Sequence, residues 1–166
     1  NIYKEDNSLT AADLYINAKI PFGYSYIDGD TDVTHLNDTQ GEHGSHVAGI
    51  ATANRFLDNG DGSFAEALDA VHMVGNAPDA QVIVMKVFGN AGGAYDSDYM
   101  AAIEDAVVLG CDSVNLSLGS GNPGMTYSTG YEEIMDMLTT TDMLSVMSAG
   151  NSGYWAENDS VIGYPY

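Results

Sequence analysis

The sequence predicts an α/β fold built on a parallel sheet. Short apolar runs alternate with helical segments through the second half of the chain. The runs are apolar at nearly every position rather than at every second one, as strands covered on both faces are. Each run also ends in glycine, in "FGNAGG", "LSLGSG" and "SAGNSG". Consecutive parallel strands require right-handed crossovers, and chemistry in such sheets gathers at the carboxyl ends of the strands. Those three glycine-rich ends are therefore the places to look.

Taken in order, the first part mixes a polar lead-in with the apolar run "AKIPFGYSYID", which Pro21 and Gly23 interrupt, so that strand and loop both remain open. Ala48 to Asn54 reads as a helix of small and aliphatic residues. "LDNGDGS" reads as a loop by its Gly, Asn and Asp content, and "FAEALDAVHM" as a short helix. Gln81 to Phe88, "QVIVMKVF", is a strand. Ser97 to Leu109 carries helical periodicity, with Ser97 as N-cap and Gly110 at the C′ position. "DSVNLSL" (Asp112 to Leu118) reads as a strand, "YEEIMDMLTT" as a helix and "MLSVMSAG" (Met143 to Gly150) as a further strand.

Composition narrows the functions. The 166 residues are 45% apolar, enough for one domain with a core. Only 4 Lys and Arg stand against 24 Asp and Glu, a net charge of −20. Nucleic acid is excluded as a partner because its affinity comes from Lys and Arg, and anionic membrane surfaces are disfavoured for the same reason. No apolar run approaches the ~20 residues that span a bilayer, so no membrane insertion is expected. Cys111 is the only cysteine, which rules out an internal disulfide and a cysteine-based metal site. The acidic stretches "DGDTD" (Asp28, Asp30, Asp32) and "DNGDGS" (Asp58, Asn59, Asp61) offer oxygen ligands suited to calcium, although neither has EF-hand spacing. Solvated acidic loops are the default for both.

The stretch "HGSHVAG", from His43 to Gly49, places two histidines three residues apart at the head of a small-residue helix. A lone histidine there would read as a solvated or core residue. A zinc site from His35, His43 and His46 lacks the Glu of His-Glu-x-x-His. Each glycine-rich strand end alone would read as a turn, and none matches the dinucleotide or P-loop pattern.

Together these segments resemble the subtilisin-like serine proteases. "HGSHVAG" is similar to the family's His-Gly-Thr-His-Val-Ala-Gly. "GNAPDAQVIVMKVF" resembles its Gly-Val-Ala-Pro-x-Ala followed by a strand. "SVNLSLGSG" resembles the strand ending Ser-Leu-Gly, and "SAGNSG" the segment Ala-Ala-Gly-Asn. The four occur in family order from Gly41 to Gly153. The run "IPFGYSYIDGDTDV" is most similar to the Gram-positive cell-envelope proteinases and C5a-peptidase-like enzymes. The resemblance implies a subtilisin-like three-layer αβα architecture with a parallel sheet, of which residues 1–166 form an incomplete portion.

By that resemblance His43 is the general base, whose pKa suits proton transfer near neutral pH, and His46 is a structural histidine pointing into the fold. Gly44 and Ser45 leave room for substrate, while Ala48, Gly49, Ala51 and Ala53 let the helix pack closely against the sheet. Asn151 would donate to the oxyanion, an effect worth ~3 kcal/mol in subtilisin itself. An extended peptide substrate would pair with enzyme backbone. Ser117, Leu118 and Gly119 would form one flank of the cleft, Gly92 and Gly93 the other, and Ala149 and Gly150 would line the first specificity pocket. Tyr95 reads equally as a pocket wall or a surface aromatic. Two departures stand out: Ser45 replaces the usual Thr, and Asn76 the usual Val.

The family's Asp-Thr-Gly strand and Gly-Thr-Ser-Met-Ala segment are missing from the sequence. Asp28 lies too close to His43 to be the triad acid, and Ser145, Ser148 and Ser152 have the wrong surroundings. Both ends look like cuts through a larger protein. The expectation is a portion of a secreted or cell-wall-associated serine endopeptidase, inactive alone and completed by segments carrying the Asp and Ser. It requires no cofactor for the chemistry, and structural calcium is compatible with the resemblance. The alternatives are a pseudoprotease that binds without hydrolysis and an acidic calcium-binding surface module.

Overall fold

The structure, a computed structural model, describes residues 8–36, 38, 41–89, 92–119 and 129–148. The chain divides into two compact units, Asn1–Ala102 and Ile103–Tyr166.

The first unit opens with a single helical turn, α1 (Ala11–Leu14). The Asp13 carboxylate accepts the Thr10 backbone N–H at 2.8 Å and the Thr10 hydroxyl at 2.6 Å, closing the turn locally. Strand β1 (Phe22–Ser25) follows. Pro21 does not interrupt it, because the ring stands just before the first paired residue, where no N–H is needed. Gly23 does not break it either. A Cβ there would sit 2.6 Å from Ile16 Cδ1, so glycine admits a close approach. All four β1 residues are buried. Leu14, Phe22 and Tyr24 form the core of this unit, flanked by Leu9, Tyr26, Ile83 and Met85. Tyr24 and Tyr26 meet edge to face with centroids 5.1 Å apart.

Helix α2 (His43–Thr52) starts at the first histidine, five residues earlier than the small-residue run alone indicates. It is followed by β2 (Phe56–Asp58) and β3 (Phe64–Glu66), an antiparallel hairpin. This corrects the expected helix over "FAEALDAVHM": Phe64–Glu66 is strand, and only Ala67–Asp69 turns, as a 3₁₀ helix. The loop read into "LDNGDGS" is narrower than expected, since Leu57 and Asp58 belong to β2. The turn chemistry explains both. Gly60 and Gly62 take φ of +79° and +85°, a region glycine enters without steric cost. Asp58 accepts the Gly60 N–H at 2.7 Å, and Asp61 accepts the Ser63 N–H at 2.9 Å. Two apolar runs flanking such a turn form a hairpin.

Strand β4 (Ile83–Lys86) pairs in parallel with β1, Phe22 opposite Ile83 and Ser25 opposite Lys86. The register is reinforced where Val82 N–H donates to the Lys19 carbonyl at 2.8 Å and Lys19 Nζ to the Pro78 carbonyl at 2.7 Å. Helix α3 (Asp96–Val108) begins one residue before Ser97, so Ser97 is not its N-cap; the hydroxyl donates instead to Asp98. Its end is as the sequence indicates. Gly110 has φ +74°, its N–H donates to the Val107 carbonyl, and the Cys111 N–H donates to the Ala106 carbonyl. This pair of bonds is the Schellman arrangement.

In the second unit, β5 (Ser113–Leu116) and β6 (Leu144–Met147) pair in parallel across α4 (Thr129–Thr139). Strands β4, β5 and β6 are those the alternation predicts, and β1 is a strand where the sequence left strand and loop open; among the described residues the parallel strands form two two-stranded sheets, β1–β4 and β5–β6. Leu144, Val146 and Met147 of β6 are exposed. No helix among the described residues is long and apolar enough to cross a membrane.

Candidate active site

His43 is the first residue of α2. Gly41, at φ +64°, turns the chain into the helix immediately before it. The imidazole is exposed and, with Glu42, Ser45 and His46, lines an open hollow of about 490 Å³. A Cβ at Gly44 would meet nothing within 4 Å, so the space expected beside His43 is present. His46 departs from expectation. It is exposed and lines the same hollow rather than pointing into the fold. The close packing expected of Ala48, Gly49, Ala51 and Ala53 is likewise not found. No α2 residue is buried, and a Cβ at Gly49 would meet open space. Small residues permit close approach without compelling it.

The C-terminal end of α2 is tied by hydrogen bonds instead. Gly75, Asn76 and Ala77 donate their backbone N–H groups to the carbonyls of Ala53, Ile50 and Ala51 at 2.9, 3.0 and 2.8 Å. The Asn76 side chain adds a second bond to the Ile50 carbonyl at 3.1 Å. These groups satisfy carbonyls that a helix end leaves without partners. Asn76, which departs from the family pattern, thus has a structural use. Gly75 is required here, because a Cβ would lie 2.3 Å from Ala53 N and 2.5 Å from Thr52 backbone atoms.

At the carboxyl end of β4, the Gly92 N–H donates to the Gly89 carbonyl at 3.0 Å with φ +70° at Gly92, and a Cβ at Gly93 would meet nothing within 4 Å. Space is thus open at Gly93, and Tyr95 beyond it is exposed. In the second unit, Ser117, Leu118 and Gly119 follow β5 directly. Asn115 Nδ2 donates to Ser117 Oγ at 2.9 Å, and Ser148 Oγ donates to the Leu118 carbonyl at 2.8 Å. The structure thereby brings the end of β5 beside Ser148, the residue before Ala149. Ala149, Gly150 and Asn151 themselves lie outside the described residues.

Among the described residues no carboxylate is bonded to the His43 imidazole. Asp28 is engaged elsewhere. Its Oδ2 accepts from the fully buried Ser25 hydroxyl at 3.0 Å and stands 3.5 Å from Lys86 Nζ. Lys86 also lies 3.5 Å from Asp38 Oδ2 and donates to the Thr34 carbonyl at 3.0 Å. This lysine-centred cluster escaped the sequence reading. Its signal was a single basic residue inside an apolar strand, in a chain with only 4 Lys and Arg.

Beyond Asp28, the carboxylates of the acidic loops bond within their own turns. Asp30 accepts the Asp32 N–H at 2.9 Å, and Asp61 lies below the usual carboxylate range because the Ser63 hydroxyl and backbone N–H bond to it. No group of three or more His, Cys, Asp or Glu among the described residues is arranged to hold a metal. Half-burial, then the neighbouring Asp112 charge, push the Cys111 thiol up, which keeps it protonated and a poor nucleophile.

An α/β chain with a histidine at the exposed head of a helix and glycine turns after its parallel strands has the framework of a subtilisin-like domain. The pattern of the subtilase family matches residues 8–166, and the chain belongs to that family. It is 38% identical to the PI-type proteinase of Lactococcus lactis subsp. cremoris over 143 residues, 84% of this chain and 7% of that protein. It is 33% identical to the minor extracellular protease Vpr of Bacillus subtilis (strain 168) over 150 residues, 86% of this chain and 16% of that protein. It is 31% identical to the C5a peptidase of Streptococcus pyogenes serotype M3 over 153 residues, 89% of this chain and 12% of that protein. The chain thus spans a small part of these relatives.

Proposed function

We propose that this chain is a portion of a secreted serine endopeptidase and supplies its histidine base and its oxyanion asparagine. The observation that carries the reading is His43, exposed at the head of α2 over an open hollow, inside a subtilase histidine motif. In the proposed reaction, His43 takes the proton from a serine hydroxyl as that oxygen attacks the peptide carbonyl. It then returns the proton to the departing amine, leaving an acyl-enzyme that water hydrolyses. Asn151 donates to the tetrahedral oxyanion. The serine nucleophile and the aspartate that orients His43 come from other segments of the same protease. Substrate is an extended peptide, held by backbone pairing at Ser117–Gly119 and Gly92–Gly93, with Ala149 and Gly150 at the first specificity pocket. The acyl transfer draws on no cofactor, and any calcium would serve folding alone.

The test is fluorophosphonate labelling of the full-length protein, read by peptide mass mapping. A labelled serine in a Gly-Thr-Ser-Met-Ala context is expected, with labelling abolished in His43→Ala. Loss of the triad base lowers turnover on the order of 10⁶-fold, the magnitude known for subtilisin. A serine segment that is present but inert would overturn the reading in favour of a pseudoprotease.

A further inference from the structure

We propose that Lys86 is a positioning residue for His43. From the end of β4 it holds the segment that enters α2 and so sets where the imidazole stands. The inference rests on reading His43 as the base.

Helix α2 has no buried residue, and nothing would touch a Cβ at Gly44 or Gly49. Among the described residues its face is lightly packed, with Val47, Ala48, Gly49 and Thr52 only half-buried, so the holds at its two ends add to its placement. The C-terminal end is paired to residues 75–77, the segment that leads into β4. The N-terminal end is approached through the loop that carries Asp28, Thr34 and Asp38, and Lys86 grips all three. Nζ lies 3.5 Å from each carboxylate and donates to the Thr34 carbonyl at 3.0 Å. The Lys86 side chain is 11% exposed and that of Asp38 only 6%. A pair so sheltered is screened far less by salt than a surface pair. Asp38 lies five residues before His43. The helix is thus tied at its far end by backbone bonds to residues 75–77, and one ammonium group on β4 holds the loop that precedes it.

The chemistry of the grip makes the lysine hard to replace. Two carboxylates face one cation. Without it, the two carboxylates lose the cation they share, Asp38 in a sheltered position, and they repel each other. The least costly escape is for Asp38 to swing into solvent, taking the entry to α2 with it. Arginine preserves the charge but presents a planar fork instead of a point charge, so it restores the grip only in part.

The test uses the full-length protein carrying Lys86→Met, Lys86→Arg or Asp38→Asn. Two readouts are taken: hydrogen–deuterium exchange of residues 41–46, with residues 96–108 as internal reference, and steady-state kinetics on a peptide substrate. In Lys86→Met, exchange at 41–46 rises while the reference is unchanged. There kcat falls roughly ten- to hundredfold with KM moved less than about twofold, because a displaced base loses attack geometry rather than substrate binding. Asp38→Asn moves both readouts the same way by less, and Lys86→Arg recovers part of the loss. Unchanged exchange at 41–46 would overturn the proposal. So would an equal rise at 96–108, which marks general destabilisation. If the wild-type protein neither hydrolyses peptides nor takes a fluorophosphonate label, the peptidase reading is lost. The exchange data still decide whether Lys86 holds the entry to His43.

Discussion

Helices α2 and α3 are both rich in small residues, yet they are held in different ways. Helix α3 buries Ala102, Ile103, Asp105 and Ala106 along one face, the i, i+3, i+4 grouping of an anchored helix. Helix α2 has no fully buried residue, with Val47, Ala48, Gly49 and Thr52 half-buried, and its C-terminal end is tied by hydrogen bonds from residues 75–77. A helix held by its face loses stability when that face is trimmed. A helix held by its ends is insensitive along its length and fragile at its tethers. For a helix with His43 at its first residue, the second arrangement leaves the imidazole and its surroundings open.

Four measurements break or sharpen this contrast. The largest expected effect is on α3. Ile103→Ala should cost about 2–5 kcal/mol, the range for emptying a buried aliphatic site, read as a fall in the urea midpoint. Ile50→Ala, at an exposed α2 position, should cost under about 1 kcal/mol; equal losses at the two sites would erase the distinction. Next comes Gly75→Ala, whose Cβ would collide with the backbone at Thr52 and Ala53. It should cost about 1–3 kcal/mol and speed amide exchange at 50–53 ahead of the rest of the unit. Asn76→Val, which restores the residue usual in the family, removes one of two bonds to the Ile50 carbonyl and should cost about 0.5–1.5 kcal/mol. A stabilised variant would show that the side-chain tether contributes nothing.

The smallest effect is one of pH, on the short helix α1. The Thr10 hydroxyl and backbone N–H hold the Asp13 carboxyl below its ordinary value. A depressed folded-state pKa contributes stability that is complete above the unfolded value and is lost as pH falls through the folded one. Acidification should therefore loosen α1, seen as faster exchange at Asp13 relative to β1. Asp13→Asn should flatten that dependence.

Legibility in the sequence followed the range of the interaction. Strands β4, β5 and β6 and helices α3 and α4 stand where their periodicity put them, because each run is long enough to state its own period. The Gly110 end of α3 was equally readable, since the Schellman bonds join residues only a few positions apart. The β2–β3 hairpin was missed although its turn is local. Phe64 to Met73 looks helical by composition, and what decides against the helix is pairing with Phe56–Asp58 across the turn. The site shows the same division. His43, Gly92–Gly93 and Ser117–Gly119 are proposed from motifs, which are local, whereas the exposure of His46 and the Lys86 cluster depend on neighbours far along the chain.

By itself the sequence determined the family and the parallel α/β character. Each is encoded in short runs, where residue type, hydrophobic period and glycine placement act within one element. Only the tertiary structure decided that β1 is a buried strand, that β2 and β3 pair, and that residues 75–77 tie the end of the histidine helix. Those outcomes depend on which segment approaches which. Ile16 against Gly23, residues 75–77 against the end of α2, and Lys86 against Asp28 and Asp38 are contacts that local pattern cannot express. Burial and charge pairing are properties of the assembled neighbourhood, not of the residue.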